Sequence, residues 1–296
     1  MLQKLSSCRW DLAFIDESMD EILSGHPVHL TQVHNPYADE CWFADPFILD
    51  VTPEYIYLLV EDVPYATSKG VIAKLTILRK TMTITHVETV LEEPWHLSFP
   101  NIMRKDGHIY VYPESAGGVK LFLYELVESP DGKTTLQRVK TLCDDVVWDS
   151  DMTDLFGEPL LFTAHQNDFH LDIYTWNNAS GRFVYSESIE SSKQDMRMAG
   201  SLFEHHGAII YPSQISTPYA YGQAVKLREI SLCNGEWQLK DIRTIHPPKG
   251  LLSRGLHTFN SYKGLIVVDT NQYYHLAGPV INKLVAYKKK LSKLLK

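Results

Sequence analysis

The sequence predicts an all-β protein, a five-bladed β-propeller, and three observations carry that expectation. First, a phrase recurs along the 296 residues: a small or polar start, an apolar run, a turn, a second apolar run and a polar end. It opens as Ala44-Asp45-Pro46, Phe99-Pro100-Asn101, Asp149-Ser150-Asp151, Ala199-Gly200-Ser201 and, more loosely, Leu256-His257-Thr258. Repeats of about fifty residues mark propellers, one four-stranded sheet per repeat. Second, three copies keep one internal spacing, since Pro100 to Glu114, Asp151 to His165 and Gly200 to Gln214 each span 14 positions. Third, strand-like runs follow one another without helical periods between them, which disfavours an α/β sheet.

In chain order, residues 9–15 form a strand ahead of the first phrase. In propellers such a strand completes the last blade and hides both sheet edges. A short helical stretch is expected from Ser18 to Leu23. Residues 55–60, 71–78, 108–112, 120–124, 160–163, 171–176, 208–211 and 265–268 are short β-branched or aromatic runs. Lys105-Asp106-Gly107, Pro130-Asp131-Gly132 and Cys233-Asn234-Gly235 separate them as turn signals. The propeller accordingly spans residues 1–278. Residues 279–296 change character, with Ile281, Leu284, Leu291 and Leu295 at near-helical spacing among lysines. They read as a basic amphipathic helix, either docking on an anionic membrane surface or a partner, or packing as a solvated helix on the propeller flank.

Composition bounds the function. A chain that is 44% hydrophobic has enough apolar side chains for a large core, and 16 Tyr and 6 Trp suit a β-rich protein that handles sugars, although aromatics also fill ordinary β cores. A formal net charge of −8 argues against a nucleic-acid surface. The four cysteines form no CxxC pair, which argues against a zinc ribbon and fits a reducing compartment. No run approaches the ~20 apolar residues of a membrane span, and no secretory signal is apparent. The expected location is cytoplasmic, with the basic helix allowing a peripheral place at the inner membrane face. Phosphate-loop, dinucleotide, nucleophile-elbow and zinc-protease motifs do not occur.

The start and end of each phrase lie at one edge of a two-strand hairpin, so their polar residues should converge on one face around the central channel. Asp45, Glu114, Asp149 and Asp151 are the candidate catalytic carboxylates. Asp149 and Asp151 are one residue apart, so strand alternation aims both at one side, one catalytic and the other binding a hydroxyl. Trp42, Trp95, His96, Asn101, His165, Arg197, Gln214, Tyr221 and His257 are candidate substrate-binding residues. Arg197 either grips a phosphate or carboxylate in a bidentate fork or neutralises the acids beside it. Trp95-His96 is either a sugar platform with a hydrogen-bonding partner or a core Trp beside a satisfied His. The pair His205-His206 reads as a solvated turn.

These phrases resemble the amino-terminal propeller domain of plant glucosamine inositolphosphorylceramide transferase and its stand-alone bacterial relatives. The resemblance rests on Trp42-Phe43-Ala44-Asp45-Pro46-Phe47, Glu93-Pro94-Trp95-His96-Leu97-Ser98-Phe99-Pro100 and residues 106–115, and further on Pro212-Ser213-Gln214, Tyr221-Gly222 and residues 255–260. That domain in turn is similar to arabinanase and xylosidase propellers, where an Asp in the first blade is the base. The resemblance implies that role for Asp45, and a metal ion in the channel near His257. The usual acids of the second and third blades are absent, since Asn101 and Asp149/Asp151 stand there.

The resemblance implies a carbohydrate-active enzyme of cell-surface glycan biosynthesis, acting by glycosyl transfer from a nucleotide-sugar or lipid-linked donor. A non-catalytic glycan-binding propeller that positions an acceptor for a partner glycosyltransferase is the alternative. A glycoside hydrolase is a third.

Overall fold

The computed structural model describes residues 8–115, 120–164, 168–217, 220–250, 252–273, 277–278 and 280–281. The chain is built of antiparallel meanders. The first is β3 (Cys41–Val51), β4 (Tyr55–Pro64), β5 (Val71–Leu78) and β6 (Thr83–Leu91), paired in that order. The second is β7 (Leu97–Lys105), β8 (His108–Ser115), β9 (Leu121–Glu128) and β10 (Thr134–Cys143), and the third is β11 (Trp148–Thr153), β12 (Leu160–Ala164), β13 (His170–Asn177) and β14 (Arg182–Glu190). These two join in one eight-stranded sheet through a single parallel pair, Cys143 with Phe183. The fourth is β15 (Phe203–His205), β16 (Ala208–Thr217), β17 (Ala220–Cys233) and β18 (Glu236–Ile245).

The last sheet draws on both ends of the described chain. It holds β19 (Ser253–Gly255), β20 (Phe259–Tyr262) and β21 (Leu265–Tyr273), together with β1 (Cys8–Ile15) and β2 (Leu30–Gln32). The strand β1 runs antiparallel to β21 from Cys8–Tyr273 to Ile15–Ile266, so neither is left as an open edge toward the other. Between β1 and β2 lies the expected short helix, α1 (Met19–Leu23). Ser18 caps it: its hydroxyl accepts from the Glu21 N–H while the Glu21 carboxylate accepts from the Ser18 N–H, a reciprocal capping box.

Successive residues of a strand face opposite ways, and the core follows that rule. On β1, Leu12 and Phe14 pack with Phe43, Leu58, Val60 and Leu75 of the first meander. Their neighbours Ala13 and Ile15 pack on the other side, with Ile210, Val225 and Leu227 of the fourth. Three more apolar clusters join the first meander to the second (Leu59, Ile72, Leu97, Val111), the second to the third (Tyr112, Leu123, Leu161, Tyr174) and the third to the fourth (Phe162, Ile173, Tyr211, Ile230). Each cluster lies between neighbouring groups of strands packed face to face.

Three tight turns form where the sequence signals them. Asp106-Gly107 and Asn234-Gly235 both take positive φ, and Gly132 does so after Asp131. All four cysteines are free thiols. Among the described residues no helix is long and apolar enough to cross a membrane. Apart from Val280 and Ile281, the expected helix over 279–296 lies outside the described residues, as does His165.

Candidate functional site

Three of the repeated phrases open with the same backbone irregularity. Asp45, Phe99 and Asp149 have φ of 49°, 45° and 44°, the left-handed region that L residues adopt only at a cost. In each case the strand register slips just there, between Ala44 and Phe47, Ser98 and Asn101, and Trp148 and Asp151. Bulges of this kind re-aim groups that a regular ladder would use. Here each one turns a backbone N–H out of its ladder toward a carboxylate of the last sheet or of the preceding meander. Asp45 N–H donates to Asp269 Oδ2 at 3.0 Å, Phe99 N–H to Asp45 Oδ2 at 3.1 Å, and Asp149 N–H to Glu114 Oε2 at 3.0 Å.

The first cluster is Asp269–His257–Asp45, all buried. Asp269 Oδ1 accepts from the His257 and Thr258 N–H groups, each at 3.1 Å, and faces His257 Nδ1 at 2.8 Å. His257 Nε2 faces Asp45 Oδ1 at 3.3 Å. With a carboxylate at each nitrogen, the ring suits the doubly protonated form. Burial opposes that charge, but Asp269 and Asp45 outweigh it and raise the His257 pKa to about 9. Trp10, on β1, stacks on the imidazole with centroids 3.9 Å apart. Burial pushes the Asp45 carboxyl well above the usual range; His257 opposes this, while Glu61, Asp149 and Asp269 reinforce it.

The second cluster is Glu114–Arg197–Asp149. Arg197 donates from Nε to Asp149 and from Nη2 to Glu114 Oε2, the latter at 3.1 Å. Gln214 Nε2 reaches Asp149 Oδ2 and the Met198 carbonyl, each at 2.7 Å, while its buried Oε1 has no hydrogen-bond partner among the described residues. Burial and the nearby Asp149 charge raise the Glu114 pKa well above the usual range against the pull of Arg197. Tyr221 bridges the two clusters: its ring lies 5.4 Å from the Arg197 guanidinium and 5.3 Å from the His257 ring. Tyr221 is 39% exposed, whereas the acids of both clusters are buried. Trp148 lies 5.3 Å from Arg197.

The remaining candidates fall elsewhere. Asp149 and Asp151 do not share a side, because the bulge between Trp148 and Asp151 breaks the alternation. Asp151 instead accepts from Asn101 Nδ2 at 2.9 Å and the Leu202 N–H at 2.9 Å. Asn101 also donates to the Ser150 carbonyl and accepts from Ser201, so the Asn101–Asp151 pair straps three meanders together. Burial raises the Asp151 pKa to about 6. His96 joins Glu61 at 2.8 Å through Nε2 while its Nδ1 accepts from the Gly70 N–H, which places the ring proton on Nε2. Trp95 packs against the Leu59–Leu97–Phe122 cluster, the core alternative. Trp42 is half-buried on β3, three residues before Asp45.

Arg197 sits where the neutralising alternative puts it, between two acids. The structure adds three groups that the sequence reading did not select: Asp269, Trp10 and Trp148. None of the three belongs to a motif that the sequence repeats at its phrase openings. For a cation near His257 the donor set is small. Asp269 Oδ1 already meets three N–H groups, which leaves His257 Nε2 and Asp45 Oδ1. The cluster is accounted for as an ion pair closed on itself.

Similar proteins fit this architecture. Solved structures alike in fold include an exo-β-1,3-galactanase from Phanerochaete chrysosporium, TM-score 0.51 and 10% identical, over 89% of this chain and 64% of that one. A β-fructofuranosidase from Bombyx mori matches with TM-score 0.50 and 11% identity over 79% of this chain and 60% of its own. At those identities the likeness concerns the propeller-like fold alone. Glucosamine inositolphosphorylceramide transferase 1 of Oryza sativa subsp. japonica is 29% identical over 197 residues, 63% of this chain and 26% of the relative. The protein of that name from Arabidopsis thaliana is 36% identical over 89 residues, 30% of this chain and 12% of the relative. The aligned region is thus about a quarter or less of the curated relatives' length. Residues 26–248 match the family model described as glucosamine inositolphosphorylceramide transferase 1, N-terminal. The chain belongs to that family.

Proposed function

We propose that the chain is a five-bladed propeller whose axial site transfers a sugar during synthesis of a cell-surface glycan. The five meanders are the blades, and β1 completes the last one. The apolar clusters support this, since one lies at each junction, including that between the last sheet and the first. The names of the plant relatives support a transferase of glycan synthesis, with the acceptor a glycolipid or polysaccharide.

The observation that carries the reading is the paired arrangement of acids. Asp45 and Glu114 are buried, which raises both pKa values, and each is held beside one cation that favours its ionised form, His257 for Asp45 and Arg197 for Glu114. Asp45 acts as base or nucleophile, with His257 a proton-carrying partner at 3.3 Å. Glu114 is the acid that protonates a leaving oxygen, and Arg197 balances the charge that develops. Tyr221 and Trp10 offer ring faces for a pyranose, and Gln214 Oε1 is an acceptor for a hydroxyl.

Two observations favour a second reading, a propeller that only binds and positions an acceptor. Asp149 and Asp269 are already engaged by several protein donors, and the aligned part of each relative is a fraction of a larger protein. Incubation of purified protein with nucleotide-sugar and lipid-linked donors, beside Asp45→Asn, separates the readings. Donor-dependent transfer that drops about 10²–10⁴-fold in the variant supports the first. Glycan binding without turnover in either protein supports the second and sinks the first. Sugar release from glycan alone points to a hydrolase.

A further inference from the structure

Outside the two acid clusters, two imidazoles and a carboxylate meet at one point on the surface. His205 ends β15, and His206-Gly207 forms the two-residue turn into β16, with His205 paired to Ala208. His206 has φ 50° and Gly207 φ 81°, the left-handed pair that such a turn requires. Adjacent residues on a regular strand point to opposite faces. The turn brings these two to the same side, with ring centroids 4.2 Å apart. The pair is therefore more than a solvated turn. Both Nε2 atoms face Asp20 Oδ1, at 2.7 and 2.8 Å. Asp20 comes from α1, a separate segment of the chain.

We propose that Asp20, His205 and His206 form a three-ligand site for a divalent transition metal of the Zn²⁺ class, which clips α1 to the β15–β16 hairpin. The three ligand atoms lie within 4.8 Å of one another. Two imidazoles and one carboxylate are the donor set of zinc and its neighbours rather than of magnesium or calcium. Zinc–nitrogen and zinc–oxygen bonds of about 2.0–2.1 Å fit the group after sub-ångström opening. Asp20 and His206 are exposed, which leaves a solvent side for water as the fourth ligand. The two imidazoles converge on a single carboxylate oxygen, and one cation set between them would engage all three groups at once. The other end of α1 is already tied down, because Arg243 donates to the carbonyls of Ile22 and His26. A metal would fasten the first turn to the fourth meander.

The test is calorimetric titration of the full chain with ZnCl₂ after alkylation of the cysteines, since Cys233 is an exposed thiol. One equivalent should bind, and His206→Ala and Asp20→Asn should each weaken it at least about tenfold, with circular dichroism confirming the fold. His246→Ala, a change at an exposed histidine outside the group, should bind as the parent does. Co²⁺ in place of Zn²⁺ should give a visible d–d band that disappears in His206→Ala. No stoichiometric binding, or equal binding by His206→Ala and the parent, overturns the proposal.

Discussion

At the scale of single residues, His257 carries the clearest pH signature. Its folded pKa of about 9 lies above the unfolded value near 6.5. The stability it contributes is therefore fully present below about pH 6.5 and is lost as pH rises through about 9. The effect is on the order of 3 kcal/mol at most. Urea unfolding should show a falling midpoint across that window in the parent, and a flatter profile in His257→Gln. Equal slopes would mean that the ring is not held as a cation. His257 was legible in the sequence because it opens a phrase, and Asp45 for the same reason. Asp269 and Trp10 were not, since their roles depend on which strand becomes whose neighbour. Alternation also misled at Asp149 and Asp151, because a bulge with positive φ leaves no mark in residue type.

Among elements, the segment ahead of β15 lies so close to β20 that Gly200 decides the contact. A Cβ on Gly200 would stand 2.1 Å from the Phe259 carbonyl oxygen and 2.6 Å from Asn260 Oδ1. The first obstacle is backbone and cannot swing aside. Asn260 is itself committed, since it accepts from the Ser201 N–H and donates to the Pro46 carbonyl. Gly200→Ala should therefore cost about 1–3 kcal/mol or more, measured by chemical denaturation. An unchanged midpoint would show that the fourth meander and the last sheet do not meet this closely. The hairpins at Asp106-Gly107 and Asn234-Gly235 were readable in advance because few residue pairs tolerate such turns. The short strands β15 and β19 were not, having too few residues for a pattern to register.

For the whole molecule, the fifty-residue phrase foretold the repeated sheets, and the early strand foretold a partner at the far end. The pairing of β1 with β21 has large consequences for integrity. It covers eight residue pairs and places the Leu12–Phe14 and Ala13–Ile15 faces in two separate cores. A variant starting at residue 16 should lose its cooperative unfolding transition and aggregate, as followed by circular dichroism and size-exclusion chromatography. A monomeric, cooperatively folding variant would show that β1 is dispensable. The same pairing imposes a timetable on biosynthesis. Ile15 leaves the ribosome long before its partner Ile266, by roughly 10–50 s at ~5–20 residues per second. Asp269 also lies on β21 and Trp10 on β1, so the acid cluster around His257 is among the last features to assemble. A nascent chain stalled short of that point would carry most of its sheets but no finished site.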